Sequence, residues 1–370
     1  MAQDDAATGA PLLVEVQRLP TSGARAAYVF EQDGVVKLAV PQLAVDVADR
    51  PAHMNGGDSD TDLLLFAWNG SGFAETGRLP VPGGEDAITF AIDGALFLAT
   101  ASVRAGHDPY DLNVASRIFR WEDEKWAPFQ EVPTFAGKQW HFFEVGGRRF
   151  LALAQGVTIP SAVARHPRQS AIFEWDGKRF EPFQTLDGGW GYNFASFVIG
   201  GEHFLAYADH TSPSLLYRWD GSRFEPVQVL AEHGGRAFCF FEQDGERWLA
   251  VAAIDGDSVV MRWDGERFVE PRRLGGPGGR EFALVRTADA LHLARVCFIE
   301  GSPQDPKTDL VSQIYRWRDG GFDEVDRFAT FGGTDASVFE AGGERYLVVS
   351  NSLTAAVRFR QDMVVYRLLI

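Results

Sequence analysis

The chain has 370 residues, a formal net charge of −16, and 13% aromatic side chains. So acidic a chain lacks the basic stripe that holds nucleic-acid phosphates, which excludes a nucleic-acid surface. No apolar run approaches the ~18–20 residues of a membrane span, and no basic segment followed by an apolar one opens the chain, so neither membrane insertion nor export is expected.

In chain order, residues 1–11 are small and polar and are expected to form a disordered tail, leaving 12–370 as one domain. Leu13–Leu19 reads as a strand and matches Phe224–Leu230. From there one unit recurs seven times, most legibly in Phe197–Leu230 and Phe241–Leu274. Each unit runs through an aromatic residue, a Gly-containing turn and an aromatic-Leu-Ala strand. An aliphatic strand ending in Trp and a strand ending in Leu follow. The Trp markers are Trp68, Trp121, Trp175, Trp219, Trp263 and Trp317; in the seventh unit Leu368 takes that place. Four strands repeated at this spacing predict an all-β, seven-bladed propeller. The last unit has no fourth strand of its own before Ile370, so Leu13–Leu19 is predicted to complete it and close the ring. Cys239 and Cys297 fall on predicted strands and read as reduced thiols, which points to a cytoplasmic protein.

The repeat resembles the EPTP repeat, also called the EAR or epilepsy-associated repeat. The resemblance rests on Phe197-x-x-Gly-Gly-x-x-Phe-Leu-Ala206, on Ser-x-(Ile/Leu)-(Tyr/Phe)-x-Trp as in Ser116–Trp121 and Ser214–Trp219, and on Phe180-x-Pro-x-Gln-x-Leu186. It is similar to the propeller domain of the leucine-rich glioma-inactivated proteins, which binds a membrane receptor. This chain shows no leucine-rich domain, export signal or disulfide framework, so that partner is not carried over. The resemblance implies the fold; function has to be argued from a site.

Within each unit the strands are lettered a to d from the axis outward. Insertions are confined to the b–c connections: Pro41–Asp62, Ser102–Ala115, Gln155–Gln169, Ile299–Val311 and Asn351–Gln361. Five long loops on one face mark that face as the binding surface. Units align on strand a at Phe30, Phe90, Phe143, Phe197, Phe241, Val285 and Phe339. Four residues earlier stand Ala26, Asp86, Gln139, Asn193, Ala237, Glu281 and Asp335. Oxygen ligands gathered at an axis suit calcium or magnesium, with Asp86, Glu281, Asp335, Asn193 and Gln139 as ligands, and propellers similar to this one hold calcium with strand-a acids. The alternative is a water-filled channel.

One residue earlier stand Arg25, Glu85, Lys138, Tyr192, Arg236, Arg280 and Thr334. These basic groups either pair with the neighbouring acids or offer donors to an anionic or carbonyl ligand. Trp140 and Phe194 read as core. Trp190 and Tyr192, in a Gly-Gly-Trp-Gly-Tyr turn, read as an apolar pocket wall, and Tyr28 on the first strand a is a further ligand-facing candidate. His141 with Asp86 or Glu281 is the acid–base grouping available to catalysis. Two functions are carried forward. One is a rigid disc that binds a small molecule or protein on its looped face. The other is an enzyme of lyase, isomerase or cyclase type, with its site at the channel mouth and no redox cofactor.

Overall fold

A computed structural model describes residues 11–370; the expected tail lies outside them except for Pro11. The described residues form seven four-stranded antiparallel sheets, one small hairpin and no helix. The inner strands a are Tyr28–Gln32, Gly84–Ile92, Gly137–Val145, Gly191–Ile199, Gly235–Gln243, Gly279–Arg286 and Gly333–Ala341. Each touches the strand a of the next sheet, and the seventh touches the first, so the sheets are blades of a closed ring. Leu13–Leu19 pairs antiparallel with Met363–Leu368, Leu13 facing Leu368 and Leu19 facing Met363, and so supplies the outer strand of blade seven.

Why these residues stack as blades follows from alternation. Side chains of a strand point to opposite faces, so a blade that is apolar on both faces needs a neighbour on each side. Apolar clusters accordingly sit between successive blades. One packs Trp68, Phe73, Phe339 and Tyr346 across the ring closure, and another packs Phe197, Phe204, Trp263 and Phe268 between blades four and five.

The repeated polar residues hold the blades in register. The motif Gln of strand d clasps the next blade through both its amide atoms. Gln184 donates to Phe224 O at 2.7 Å and accepts from Phe224 N at 2.9 Å. Gln130 does the same with Phe180, Gln228 with Phe268, and Gln17 with Phe73 across the closure. The motif Ser of strand c accepts the last strand-b amide of its own blade, as Ser214 does from Asp209 at 3.1 Å and Ser312 from Cys297 at 2.9 Å. Ser116, Ser170, Ser214 and Ser258 each press on the first glycine of the next strand a. A Cβ on Gly137 would lie 2.8 Å from Ser116 Oγ, and Gly191, Gly235 and Gly279 are at least as crowded. Glycine there is a packing requirement.

Neither cysteine is in a disulfide. Cys297 is buried, whereas Cys239 is only half-buried as a residue, its thiol pushed up to about 12 by burial.

Candidate functional site

Strand a of blades two to seven carries one extra residue after its first glycine, and the same shift precedes strand a of blade one. Gly84 pairs with Ser102 and Asp86 with Ala101, which leaves Glu85 unopposed. The same shift leaves Lys138, Tyr192, Arg280 and Thr334 unopposed, falls across Arg236 and Ala237 in blade five, and recurs between Ala24 and Tyr28 in blade one. A bulge bends the strand and re-aims the extra side chain. Here it separates two adjacent polar positions. Six of the seven bulge-column residues (Arg25, Glu85, Lys138, Tyr192, Arg236 and Arg280) line one cavity of about 720 Å³ at the channel mouth.

The inserted loops build its walls. Leu43, Met54, Ile254 and Phe298 line the cavity and pack with Leu353 and Phe359 behind them, all from the b–c loops of blades one, five, six and seven. Phe135, Val157, Leu112, Ala162 and Trp190 form a second apolar cluster on the opposite side. Loop backbones are fitted closely to these anchors: Gly57 has φ +79°, and a Cβ there would meet the Phe359 ring and Val45 O at 2.7 Å. Arg104, in the second loop, is buried, donates to Ser59 Oγ at 2.8 Å and to the carbonyls of Asn55 and Gly56, and stacks 4.0 Å from the Tyr110 ring.

The floor is strongly cationic. Glu85 takes Arg25 Nε at 3.2 Å and Arg280 Nη2 at 3.1 Å, the latter from across the ring. Tyr192 lies under three cations, with Arg236 Cζ, Arg280 Cζ and Lys138 Nζ at 3.8, 4.9 and 5.7 Å from its ring centre. Arg236 donates to Gly235 O, and Lys138 Nζ to Ala136 O at 3.2 Å and Gly156 O at 3.3 Å. Among the described residues neither is in an ion pair. Burial lowers Lys138 to about 7 and Arg236 to about 10, because a charged group taken from water without a counter-charge is held less firmly in its charged form. Arg104 is likewise lowered to about 10 by burial. His210, on the wall 5.1 Å from the Trp190 ring, is lowered to about 4 by burial, with Arg236 adding to the effect. Arg25 Nε, Trp190 Nε1 and His210 Nδ1 are buried with no hydrogen-bond partner; Glu85 and Asp255 stand near Arg25 and His210 without an aligned bond.

The neighbouring column does different work. Asp86 accepts from Trp140 N at 2.8 Å, Gln139 from Phe194 N at 2.8 Å, and Asp335 from Ala27 N at 2.7 Å, so each latches its blade to the next. Glu281 accepts from Phe282 N at 3.0 Å and from Asn193 Nδ2, across the channel, at 3.1 Å. Burial raises Asp86 to about 7. It also raises Glu281, with Asp335 adding to the shift there, and Asp335 itself. Burial thus disfavours the charged form of all three acids. Among the described residues no three His, Cys, Asp or Glu side chains gather so as to hold a metal ion. Of the five expected cation ligands, Asp86, Gln139, Glu281 and Asp335 each spend a side-chain oxygen on a backbone amide, while Asn193 enters the column as a donor to Glu281.

Of the other candidates, His141 Nε2 lies 2.8 Å from Ser196 Oγ and 3.1 Å from Ser196 N on the next blade, and burial lowers it to about 4. It meets neither Asp86 nor Glu281. Tyr28 stacks on Phe30 with its hydroxyl 3.3 Å from Thr89 O and does not line the cavity. Trp140 and Phe194 are buried core. Lys138, Trp190, Tyr192, Arg236 and Arg280 do meet at the cavity. Arg104 and Tyr110 were not legible as site residues, because they lie in an irregular insertion, whereas Phe298 sits in a column after strand b with Val103 and Ile254 that could have been read.

The ring of seven four-stranded blades with a cavity at one mouth is a β-propeller. Its repeat is similar to the EPTP repeat: residues 125–176, 179–220 and 223–264 match the EPTP domain. It is similar to the human and mouse proteins described as thrombospondin-type laminin G domain and EAR repeat-containing protein, each 29% identical, over 116 and 123 residues respectively. Those alignments cover 31% and 32% of this chain but only 15% and 16% of the relatives, so the chain spans a small part of their length. Among solved structures, BBS1N in complex with ARL6DN superposes with a TM-score of 0.56 at 11% identity, over 97% of this chain and 98% of that one. That likeness concerns the fold alone. Among the described residues no helix is long and apolar enough to cross a membrane.

Proposed function

We propose that this propeller binds an anionic small molecule with an apolar body in the cavity at its channel mouth. The observation that carries the reading is the bulge column. It turns Arg25, Lys138, Arg236 and Arg280 into one cavity with a single column carboxylate, Glu85, in a chain of net charge −16. Desolvated cations and unpartnered N–H groups are costly to maintain, and an anionic ligand would offset that cost. The walls formed by Leu43, Met54, Ile254 and Phe298 and by Val157, Ala162 and Trp190 would take the apolar part. Reduced cysteines support placing the protein in the cytoplasm.

Two fluorescent probes test the reading. Anilinonaphthalenesulfonate and phenylnaphthylamine share an apolar body, and only the first is anionic. The sulfonate should bind one site at least about tenfold more tightly, the scale of a charge-assisted hydrogen bond. Arg236→Ala combined with Arg280→Ala should erase that preference. Equal affinity for the two probes, or an unchanged preference in the double variant, would overturn the proposal.

A further inference from the structure

Lys138 is the one amine among the arginines of the cavity. Its Nζ has two backbone acceptors, Ala136 O and Gly156 O, and among the described residues no carboxylate within ion-pair distance. Two acceptors match the two N–H bonds of a neutral amine and leave the nitrogen lone pair uncommitted. A protonated ammonium would carry a third N–H with no acceptor in this set. The groups around it are Arg25, Arg236 and Arg280, which disfavour a further positive charge, Glu85, which favours it, and the rings of Trp190 and Tyr192. An amine desolvated beside other cations is the arrangement that activates lysine toward carbonyl carbon.

We propose that Lys138 is a nucleophilic amine that condenses with the carbonyl of an anionic oxo acid, whose carboxylate is held by Arg236 and Arg280. The Nζ lone pair adds to the carbonyl carbon, and the displaced C=O pair takes a proton at oxygen. The resulting hydroxyl then leaves as water with a proton from nitrogen, and the C=N bond forms. Amine and carbonyl become imine and water, with no oxidant, reductant or cofactor. Tyr192 fixes the spacing, since its ring lies within 5.7 Å of Lys138 Nζ and the guanidiniums of both Arg236 and Arg280. The inference rests on the anion-binding reading and adds a covalent step and a substrate class to it.

The test uses the full chain near neutral pH with phenylpyruvate, an oxo acid with an apolar ring, and phenyllactate, which lacks the carbonyl. Both should displace anilinonaphthalenesulfonate. With cyanoborohydride present, phenylpyruvate alone should leave one reduced adduct, mapped to Lys138. It should form about a hundredfold faster than adducts at exposed lysines, in line with the larger neutral fraction of this amine. Lys138→Arg should abolish the adduct, and Lys138→Met serves if the arginine variant does not fold. Mapping on the parent chain needs neither variant. Displacement without an adduct at Lys138, or an adduct spread over surface lysines at similar rates, overturns the imine and leaves the anion site standing. No displacement by either acid overturns both.

Discussion

Single residues in this propeller are divided between holding the ring and facing the mouth, and neighbours one position apart do opposite jobs. Asp86 latches blade two to Trp140, whereas Glu85 beside it receives Arg25 and Arg280. Because burial raises Asp86 from 3.8 to about 7, the folded chain holds a proton there that the unfolded chain releases. The resulting penalty is absent below the unfolded value, grows as pH rises, and is complete above the folded one. Asp86→Asn keeps an oxygen for Trp140 N and removes the titration. Its melting temperature relative to the parent should therefore climb from about pH 4 to about pH 8; a difference that is flat with pH would show that Asp86 is already ionised in the fold. The glycine–serine contact is equally specific. Gly235→Ala drives a Cβ into Ser214 Oγ and should cost about 1–3 kcal/mol. Adding Ser214→Ala should recover part of that loss, read as a favourable coupling of at least about 0.5 kcal/mol in a denaturation double-mutant cycle.

At the level of strands, the period and the closure were legible because apolar alternation and turn glycines repeat in register. Leu13–Leu19 was recognisable as the missing strand through its match to Phe224–Leu230, and it pairs where that match places it. The bulge was not read, although a signal was present: after Gly84, Gly137, Gly191 and Gly279 come two successive non-alternating positions, the first of them charged or aromatic. Without it, the acidic column reads as a ring open equally to a metal ion or to water; with it, the basic column becomes the floor of the cavity. The loops were legible as insertions on one face. Their packing through Phe359, Phe298 and Arg104 was not, because that packing joins different loops, 45 residues apart for Arg104 and Ser59 and 313 for Phe359 and Asp46, that share no pattern. The outer clasps give a direct test of closure. Gln17→Leu removes both bonds to Phe73 and leaves a backbone donor and acceptor unpaired, so it should cost about 1–3 kcal/mol in urea unfolding. Gln184→Leu, inside the ring, should cost a similar amount. A neutral Gln17→Leu would mean that the first strand does not bear on stability.

The whole molecule sets a cationic hollow in an acidic shell, on a ring whose seven blades fix the positions of the bulge column. Sequence columns could place Lys138, Tyr192, Arg236 and Arg280 near one another only if the ring closed, and it does. What the columns could not give is depth: the cavity exists because loops from blades one, two, three and six rise over the mouth. The most direct measurement is a crystal structure of the chain grown with anilinonaphthalenesulfonate. The account predicts one molecule in the channel mouth, its sulfonate against Arg236 and Arg280 and its rings against the Trp190 wall. A probe seated on the outer strands or the opposite face, with the mouth holding only solvent, would contradict it.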